Sequence, residues 1–312
     1  MINRRHIRVK VMQSLYAVLH SENSDIVKEE KFLKHSIKRM FDLYVLSLQL
    51  LVEVQLLAKQ KLEISKKKFL ATKEDLVPNT RFVENSIIKI LAESNSLKDY
   101  IEKHKLDNWK LDDEYVKIIW DHLSKTELFN NYLSSEESSF TADKNFVVNF
   151  FKEIIAPNEK LLDYFEDTTI SWVDDVPFVN TWVVRTLNKL NSKGPFVLGS
   201  LYKDNDDEQY VSDLFRKSIL NHTEYEKDVE SKTPNWETDR IADLDMILIK
   251  MGICEFLNFP SIPTRVTINE YIEISKDYST KKSSYFINGV LDKLSKEYIE
   301  SKRLVKVGRG LL

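Results

Sequence analysis

The most regular feature of the chain is a run of apolar positions at helical spacing. Between residues 30 and 68, apolar side chains recur every three or four residues, at Ile37, Phe41, Tyr44, Leu48, Leu51 and Ala58. This is the period of one helix face, so the pattern predicts one long helix over residues 30–68. Its most apolar part, residues 43–58, is shorter than the about 20 residues that a membrane span requires, and it contains Gln49 and Glu53. We therefore expect a buried helix and no membrane partner.

Shorter helical patterns follow the long one. They cover residues 81–93, 114–124 and 144–155, and no segment shows the sustained alternation of a half-buried strand. No glycine precedes Gly194, which excludes a P-loop or a dinucleotide-binding fingerprint from the first 193 residues. The pattern predicts an all-α fold.

Two segments in the second half of the chain share a pattern at a constant offset. Residues 143–172 align with residues 207–236 without a gap. Matching positions pair Val147 with Val211, Phe150 with Leu214, Phe151 with Phe215, and Trp172 with Trp236. A further helical pattern follows each tryptophan, so we interpret residues 143–190 and 207–254 as one duplicated helix pair.

The chain begins with a cationic segment, RRHIRVKVMQSLYAV, whose apolar positions also follow a helical period. Ile7, Val11 and Leu15 share one helix face, and Arg4 and Arg8 fall on that same face. Burying a guanidinium among apolar side chains is costly, so we expect the first turns to overhang the body of the protein with their arginines in water. Such arginines are suited to bind phosphate through paired donors. The alternative is an unstructured basic segment without a function.

The last third of the chain contains three helical patterns, the first two separated by prolines. Thr267 and Glu270 have the spacing of a capping box, which predicts that the second of these helices begins at Thr267. Asn288-Gly289 is a hairpin dipeptide in isolation, but its flanks follow a helical period. We therefore place Gly289 inside the third helix, where the missing side chain lets another helix approach closely.

Two signatures near the ends of the chain occur in a characteristic order. The Arg-rich start leads into Q-x-L-Y, and IPTRVTINEYIEISKDYS is followed by YFINGVLDKL. Together they resemble the NusB family of bacterial transcription antitermination factors. The resemblance covers about residues 1–20 and 207–312, which we interpret as a NusB-like RNA-binding core. Residues 21–206 then form a helical insertion, whose 143–190 part resembles residues 207–254.

The resemblance implies NusB-like helical bundles without catalysis. Family members bind the boxA element of leader RNA in ribosomal-RNA operons together with a small ribosomal protein, NusE, and help polymerase pass terminators. Asp245 is implied on the NusE-facing surface. The positions implied to contact RNA are Arg4, Arg5, His6 and Arg8, together with Lys281, Lys282, Tyr285 and Phe286.

The two basic segments share a chemistry that suits single-stranded RNA. Cations follow the phosphate backbone, and aromatic faces accept unstacked bases. We predict that the two segments lie side by side and form one RNA site. Tyr285 is expected to face solvent, whereas Phe286 either faces the RNA or packs inward with Val290 and Leu294.

The charge distribution agrees with basic chain ends. The 46 basic and 49 acidic residues give a net charge of −3, but residues 136–175 carry −7 and residues 276–309 carry +5. A non-catalytic protein-interaction scaffold that uses the acidic middle is therefore an alternative to RNA binding. A further alternative is an RNA-binding domain of a ribosomal-RNA modification system.

The sequence lacks the residue patterns of a catalytic or metal site. Its six histidines are scattered without metal-ligand spacing, and its one cysteine, Cys254, lies in an apolar helix and cannot form an internal disulfide. We expect a cytoplasmic, non-enzymatic protein without metal or cofactor.

Overall fold

The computed structural model describes residues 2–21, 25–69, 72, 76–232 and 241–311. The chain divides into two compact units. The composite unit is built from two separate stretches, Met1–Ile37 and Ser200–Leu312, and the central unit is the stretch between them, Lys38–Gly199. The predicted division into a family core and an insertion stays a prediction.

The described residues form α-helices and contain no β-strand, which confirms the predicted all-α fold. The helices up to residue 189 are α1 (Arg4–Leu19), α2 (Ile26–Lys66), α3 (Ser86–Ala92), α4 (Asn95–His104), α5 (Asn108–Leu111), α6 (Asp113–Leu123), α7 (Glu127–Ser134), α8 (Phe140–Phe150), α9 (Glu159–Thr168) and α10 (Val176–Lys189). The later helices are α11 (Asn205–Leu220), α12 (His222–Lys232), α13 (Asp243–Asn258), α14 (Thr264–Tyr278) and α15 (Ser283–Glu300). Short helical turns are formed by Phe151–Ile155, Ile170–Trp172 and Gly308–Leu311.

Helix α2 is the long helix that the apolar run predicted. All six apolar positions that define the pattern are buried. Among the described residues, α2 is the one helix long and apolar enough to cross a membrane, and 78% of its apolar window is buried inside the protein. Such coverage is typical of a core helix.

Helix α13 forms the centre of the composite unit. It contacts α1, α11, α12, α14 and α15. Because it is covered on nearly all sides, its sequence is almost continuously apolar between Met246 and Phe256. Cys254 is buried in this helix, as predicted, and burial raises the pKa of its thiol to about 12. A thiol that stays protonated is a poor nucleophile.

Helix α15 contains Gly289, as predicted, but no other helix approaches this glycine. The space that a side chain at Gly289 would occupy is open. A Cβ on Gly252 of α13 would instead lie 2.8 Å from a methyl carbon of Leu291. The close helix approach therefore depends on Gly252, and the role predicted for Gly289 is wrong.

The two glycines give opposite expectations for the same substitution. Gly289→Ala is expected to raise the free energy of unfolding by about 0.5–1 kcal/mol, because alanine favours a helix interior. Gly252→Ala is expected to lower it by about 1–3 kcal/mol, because Leu291 has to shift within a packed interface. Chemical denaturation of both variants checks the signs, and a change of the same sign in both contradicts the assignment.

Helix α14 begins earlier than the capping box predicted. Its first residue is Thr264, directly after Pro263. Thr267 lies inside the helix and is fully buried. Its hydroxyl donates a hydrogen bond to the Glu255 carboxylate, 2.9 Å away, so it is not a helix cap. The predicted capping box is wrong.

The segments proposed as a repeat have related helix boundaries. Residues 143–190 extend over α8, α9 and α10, and the described residues between 207 and 254 extend over α11, α12 and α13, so each segment contains more than a helix pair. The aligned positions Val147 and Val211, Phe150 and Leu214, and Phe151 and Phe215 are buried in both segments. Trp172 is fully buried, whereas Trp236 lies outside the described residues. The duplication stays a prediction that superposition of the two segments tests.

Candidate nucleic-acid interface

The Arg-rich segment forms the first turns of α1. Asn3 caps this helix by accepting a hydrogen bond from the His6 backbone N–H, 3.0 Å away. Helix α1 packs antiparallel to α13, because Arg8 contacts Glu255 near the end of α13 and His20 contacts Asp243 at its beginning. The amino-terminal end of α1 is thereby fixed beside the junction of α13 and α14.

Arg8 is buried rather than exposed, so the prediction of an overhanging helix is wrong for this residue. Only 2% of its side chain is exposed, and it faces the fully buried carboxylate of Glu255. Arg8 Nε donates to Glu255 Oε1 at 2.6 Å, and Arg8 Nη2 donates to Oε2 at 3.0 Å. This two-point ion pair compensates the desolvation of both charges.

Three hydroxyl groups complete the surroundings of Glu255. Tyr271 donates to Oε1 at 2.8 Å, Tyr210 donates to the same oxygen, and Thr267 donates to Oε2 at 2.9 Å. Burial by itself raises the pKa of Glu255, but Arg8 and the hydroxyl donors together hold that pKa below its ordinary value. Glu255 is therefore ionised, and the cluster pins α1 to α13 and α14.

Arg4 and Arg5 lie nearer to solvent, and each already has a carboxylate partner. Arg4 Nε lies 2.8 Å from Asp207 Oδ1, and its guanidinium lies 4.9 Å from the centre of the Tyr210 ring. Arg5 forms two hydrogen bonds with Glu270, of 3.0 and 2.9 Å. The exposed fractions of the two arginine side chains are 37% and 43%, so both are accessible to a phosphate. His6 is half-buried, and its Nδ1 lies 2.6 Å from Asn3 Oδ1.

A groove of about 480 Å³ lies beside this end of α1. The motif arginines Arg4, Arg5 and Arg8 line it together with Glu270 and a residue that the sequence analysis missed, Arg309. The sequence feature at this position is a glycine on each side of Arg309, which read alone indicates only a turn.

The second basic segment is the turn between α14 and α15. Lys281 and Lys282 are exposed, and among the described residues neither has a carboxylate partner. The Tyr285 side chain is 82% exposed, which confirms the prediction that it faces solvent. Phe286 is half-buried, which lies between the two alternatives predicted for it.

Asp245 is buried near the beginning of α13. It is 6% exposed, and it accepts a hydrogen bond of 2.7 Å from the hydroxyl of Ser279. Ser279 in turn contacts Ser283 in the same turn, so Asp245 positions the turn that carries Lys281 and Lys282. The prediction that Asp245 belongs to the NusE-facing surface stays a prediction.

The two basic segments are fixed at different parts of α13, and the prediction that they form one RNA site stays a prediction. Glu255, near the end of α13, marks the Arg-rich end, and Asp245, near its beginning, marks the turn with Lys281 and Lys282. These two residues are ten positions apart, which is about 15 Å along a helix. The basic segments therefore lie near opposite ends of α13. An extended single strand of RNA is long enough to span this separation.

The described residues offer no cluster of metal-binding side chains. Within them, no group of three or more histidine, cysteine, aspartate or glutamate side chains is arranged to hold a metal ion. The candidate site consists of cations, the exposed ring of Tyr285 and a groove.

Comparison with known proteins places this site in a family. The NusB family model matches residues 183–296. The transcription antitermination protein NusB of Salinibacter ruber is 38% identical over 112 residues, which are 36% of this chain and 70% of that relative. The chain belongs to the NusB family.

Other NusB proteins match over similar lengths. The NusB protein of Finegoldia magna is 41% identical over 88 residues, 27% of this chain and 64% of the relative. That of Listeria monocytogenes is 35% identical over 94 residues, 30% of this chain and 73% of the relative. No solved structure matches the chain significantly. The matched residues 183–296 include Lys281, Lys282 and Tyr285, whereas Arg4, Arg5 and Arg309 lie outside them.

Proposed function

We propose that the composite unit binds single-stranded RNA and that the protein acts as a transcription antitermination factor, the activity that the names of its relatives state. The observation that carries this proposal is the turn between α14 and α15. It presents two cations without a carboxylate partner among the described residues, Lys281 and Lys282, beside the exposed ring of Tyr285. Cations bind phosphates, and an exposed ring stacks on an unpaired base.

The Arg-rich end of α1 supports the same proposal as a second contact region. Arg5 binds phosphate by exchanging or sharing its partner Glu270, which is itself partly exposed, whereas Arg4 binds phosphate while it keeps its pair with the buried Asp207. Exposed ion pairs contribute only about 0–1 kcal/mol, so a phosphate competes with them easily. Arg8 contributes indirectly, because its pair with Glu255 holds the helix in place.

The finer part of the proposal follows the family resemblance. The RNA is a boxA-like leader of ribosomal-RNA operons, the protein partner is the ribosomal protein NusE, and the protein acts in the transcription elongation complex in the bacterial cytoplasm. It acts without catalysis and without a cofactor. Because Asp245 is buried, crosslinking to NusE is the appropriate means to locate the partner surface.

Reversing the charge of Lys282 tests RNA binding directly. Lys282→Glu is expected to weaken binding of a short fluorescent single-stranded RNA about tenfold at about 50 mM salt, because a phosphate contact is replaced by repulsion. The slope of the logarithm of affinity against the logarithm of salt concentration is expected to fall by about 1. Fluorescence anisotropy titrations at several salt concentrations measure both quantities.

Lys293→Glu is the matched control, because Lys293 is an exposed lysine of the same helix α15 that lies away from the turn. It makes the same change in net charge and is expected to leave the affinity nearly unchanged. Equal affinities of the parent and Lys282→Glu, or equal losses in both variants, contradict the proposed site. A parent protein that binds NusE but no RNA favours the scaffold alternative.

A further inference from the structure

The charges around the Arg-rich groove are balanced by acidic partners. Arg4 pairs with Asp207, Arg5 pairs with Glu270, and Arg8 pairs with Glu255. These three arginines are therefore matched by three carboxylates. A groove without net charge attracts a polyanion weakly, because the electrostatic part of binding depends on uncompensated cations.

Arg309 is the exception among the arginines of the groove. Its side chain lines the groove, it is exposed, and no carboxylate pairs with it within the described part of the chain. It therefore gives the groove a net positive charge that the other arginines do not supply. Because it has no ion-pair partner among the described residues, it binds a phosphate without first losing an ion pair within them.

The chain segment that carries Arg309 is held against the end of α13. We call residues 304–310 the strap. The Lys306 ammonium group donates to the backbone carbonyl oxygens of Glu255 and Phe259, at 3.2 and 3.1 Å. These are among the last carbonyls of α13, where the helix dipole favours a cation. The backbone N–H of Val307 donates to the carbonyl oxygen of Pro260 at 3.0 Å.

Gly310 fixes the strap on the other side of Arg309. It is buried, and a Cβ at this position would lie 1.9 Å from the carbonyl oxygen of Pro260. Only glycine permits this approach, since the obstacle is backbone and cannot rotate away. Arg309 thus projects from a segment anchored at Lys306 and at Gly310, and its position beside Arg4 and Arg5 is built into the fold.

We propose that the strap is part of the RNA site and that Arg309 binds a backbone phosphate of single-stranded RNA in the groove beside α1. This inference rests on the proposed function and extends it to residues outside the match to the family model. Arg4 and Arg5 complete the phosphate contact from the opposite wall, and Arg309 provides the net positive charge of the groove.

Two variants of the full-length protein test the strap. Arg309→Ala is expected to weaken binding of the short fluorescent RNA about tenfold at about 50 mM salt and to lower the salt slope by about 1. Gly310→Ala removes no charge but displaces the strap, and it is expected to cause a similar loss. Circular dichroism at the assay temperature confirms that each variant is folded.

Arg185→Ala is the control, because Arg185 is an exposed arginine of the central unit, and no carboxylate pairs with it among the described residues. The RNA affinity of Arg185→Ala is expected to equal that of the parent protein. If Lys282→Glu weakens binding but Arg309→Ala does not, the strap proposal is wrong and the proposed function stands. If Arg309→Ala weakens binding and a folded Gly310→Ala does not, the anchored position of Arg309 is irrelevant and the proposal is also wrong. A parent protein without RNA affinity overturns both.

Discussion

Replacing Arg8 by alanine is expected to lower the free energy of unfolding of the composite unit by about 3–5 kcal/mol. The variant leaves the carboxylate of Glu255 fully buried with hydroxyl donors but without a cation. An uncompensated buried charge is among the most destabilising defects that a single substitution introduces. Chemical denaturation gives the loss, and amide hydrogen exchange in α13 shows whether it arises in the composite unit.

Arg5→Ala is the matched control for this experiment. Arg5 is on the same helix and also pairs with a glutamate, but its side chain is 43% exposed. Its removal is expected to cost at most about 1 kcal/mol. The double variant with Arg8→Met and Glu255→Gln removes both charges, while the glutamine carbonyl oxygen still accepts from the surrounding hydroxyls, and it is expected to recover much of the stability lost in Arg8→Ala. Equal stability of Arg8→Ala and Arg5→Ala contradicts the role assigned to the buried pair.

Replacing Trp172 by alanine is expected to lower the free energy of unfolding of the central unit by about 3–5 kcal/mol. Trp172 is fully buried, and its indole N–H donates to the carbonyl oxygen of Arg39 at 2.8 Å. The Phe165 ring packs edge-on against it, with 5.9 Å between the ring centres. The substitution creates a cavity and also removes the indole hydrogen bond to the Arg39 carbonyl oxygen.

Trp120→Ala is the control for Trp172→Ala, because Trp120 belongs to the same unit but is only half-buried. It is expected to cost about 1–2 kcal/mol, in proportion to the smaller apolar area removed from water. Denaturation monitored by circular dichroism measures both losses, and hydrogen exchange is expected to quicken in α8, α9 and α10. A cost for Trp172→Ala no larger than that for Trp120→Ala contradicts the central packing role of Trp172.

The sequence predicted the helices well because their signal is local. The long helix α2 and the helical setting of Gly289 follow from spacing within a few turns, and both are confirmed. Exposure of Tyr285 also follows from local position, since the apolar face of α15 uses other residues. Each of these predictions needed only the period of the surrounding side chains.

The burial of Arg8 had no local signal. On its own helix, Arg8 falls on the apolar face, and water is the expected environment for it. In the structure, the carboxylate of Glu255 compensates the buried charge of Arg8. Glu255 lies 247 positions away in the chain. The role of Thr267 likewise had no local signal. Its spacing to Glu270 fits a capping box, but its hydroxyl donates a hydrogen bond to Glu255. Partners that are distant in sequence decide both positions, and a single sequence does not contain that information.

The role of the strap is another feature that the sequence alone did not indicate. A glycine, an arginine and a glycine after the last helix are ordinary turn residues when read alone. Their importance comes from a backbone carbonyl of Pro260 that the fold brings next to Gly310. The overall charge count gave no sign of Arg309 either. Ion pairing, rather than composition, decides which arginine of the groove lacks a carboxylate partner.

The discontinuity of the composite unit has a consequence for synthesis of the protein. Helix α1 ends at Leu19, and its partner helix α11 begins at Asn205. At the about 5–20 residues per second of translation, the ribosome needs roughly 10–40 s to make the intervening chain. During that interval the apolar side chains of α1, among them Ile7, Val11 and Leu15, have no partner in α11 or α13, whereas the central unit is contiguous and folds as it emerges. The first helix is therefore expected to stay without these partners until the second stretch has been synthesised.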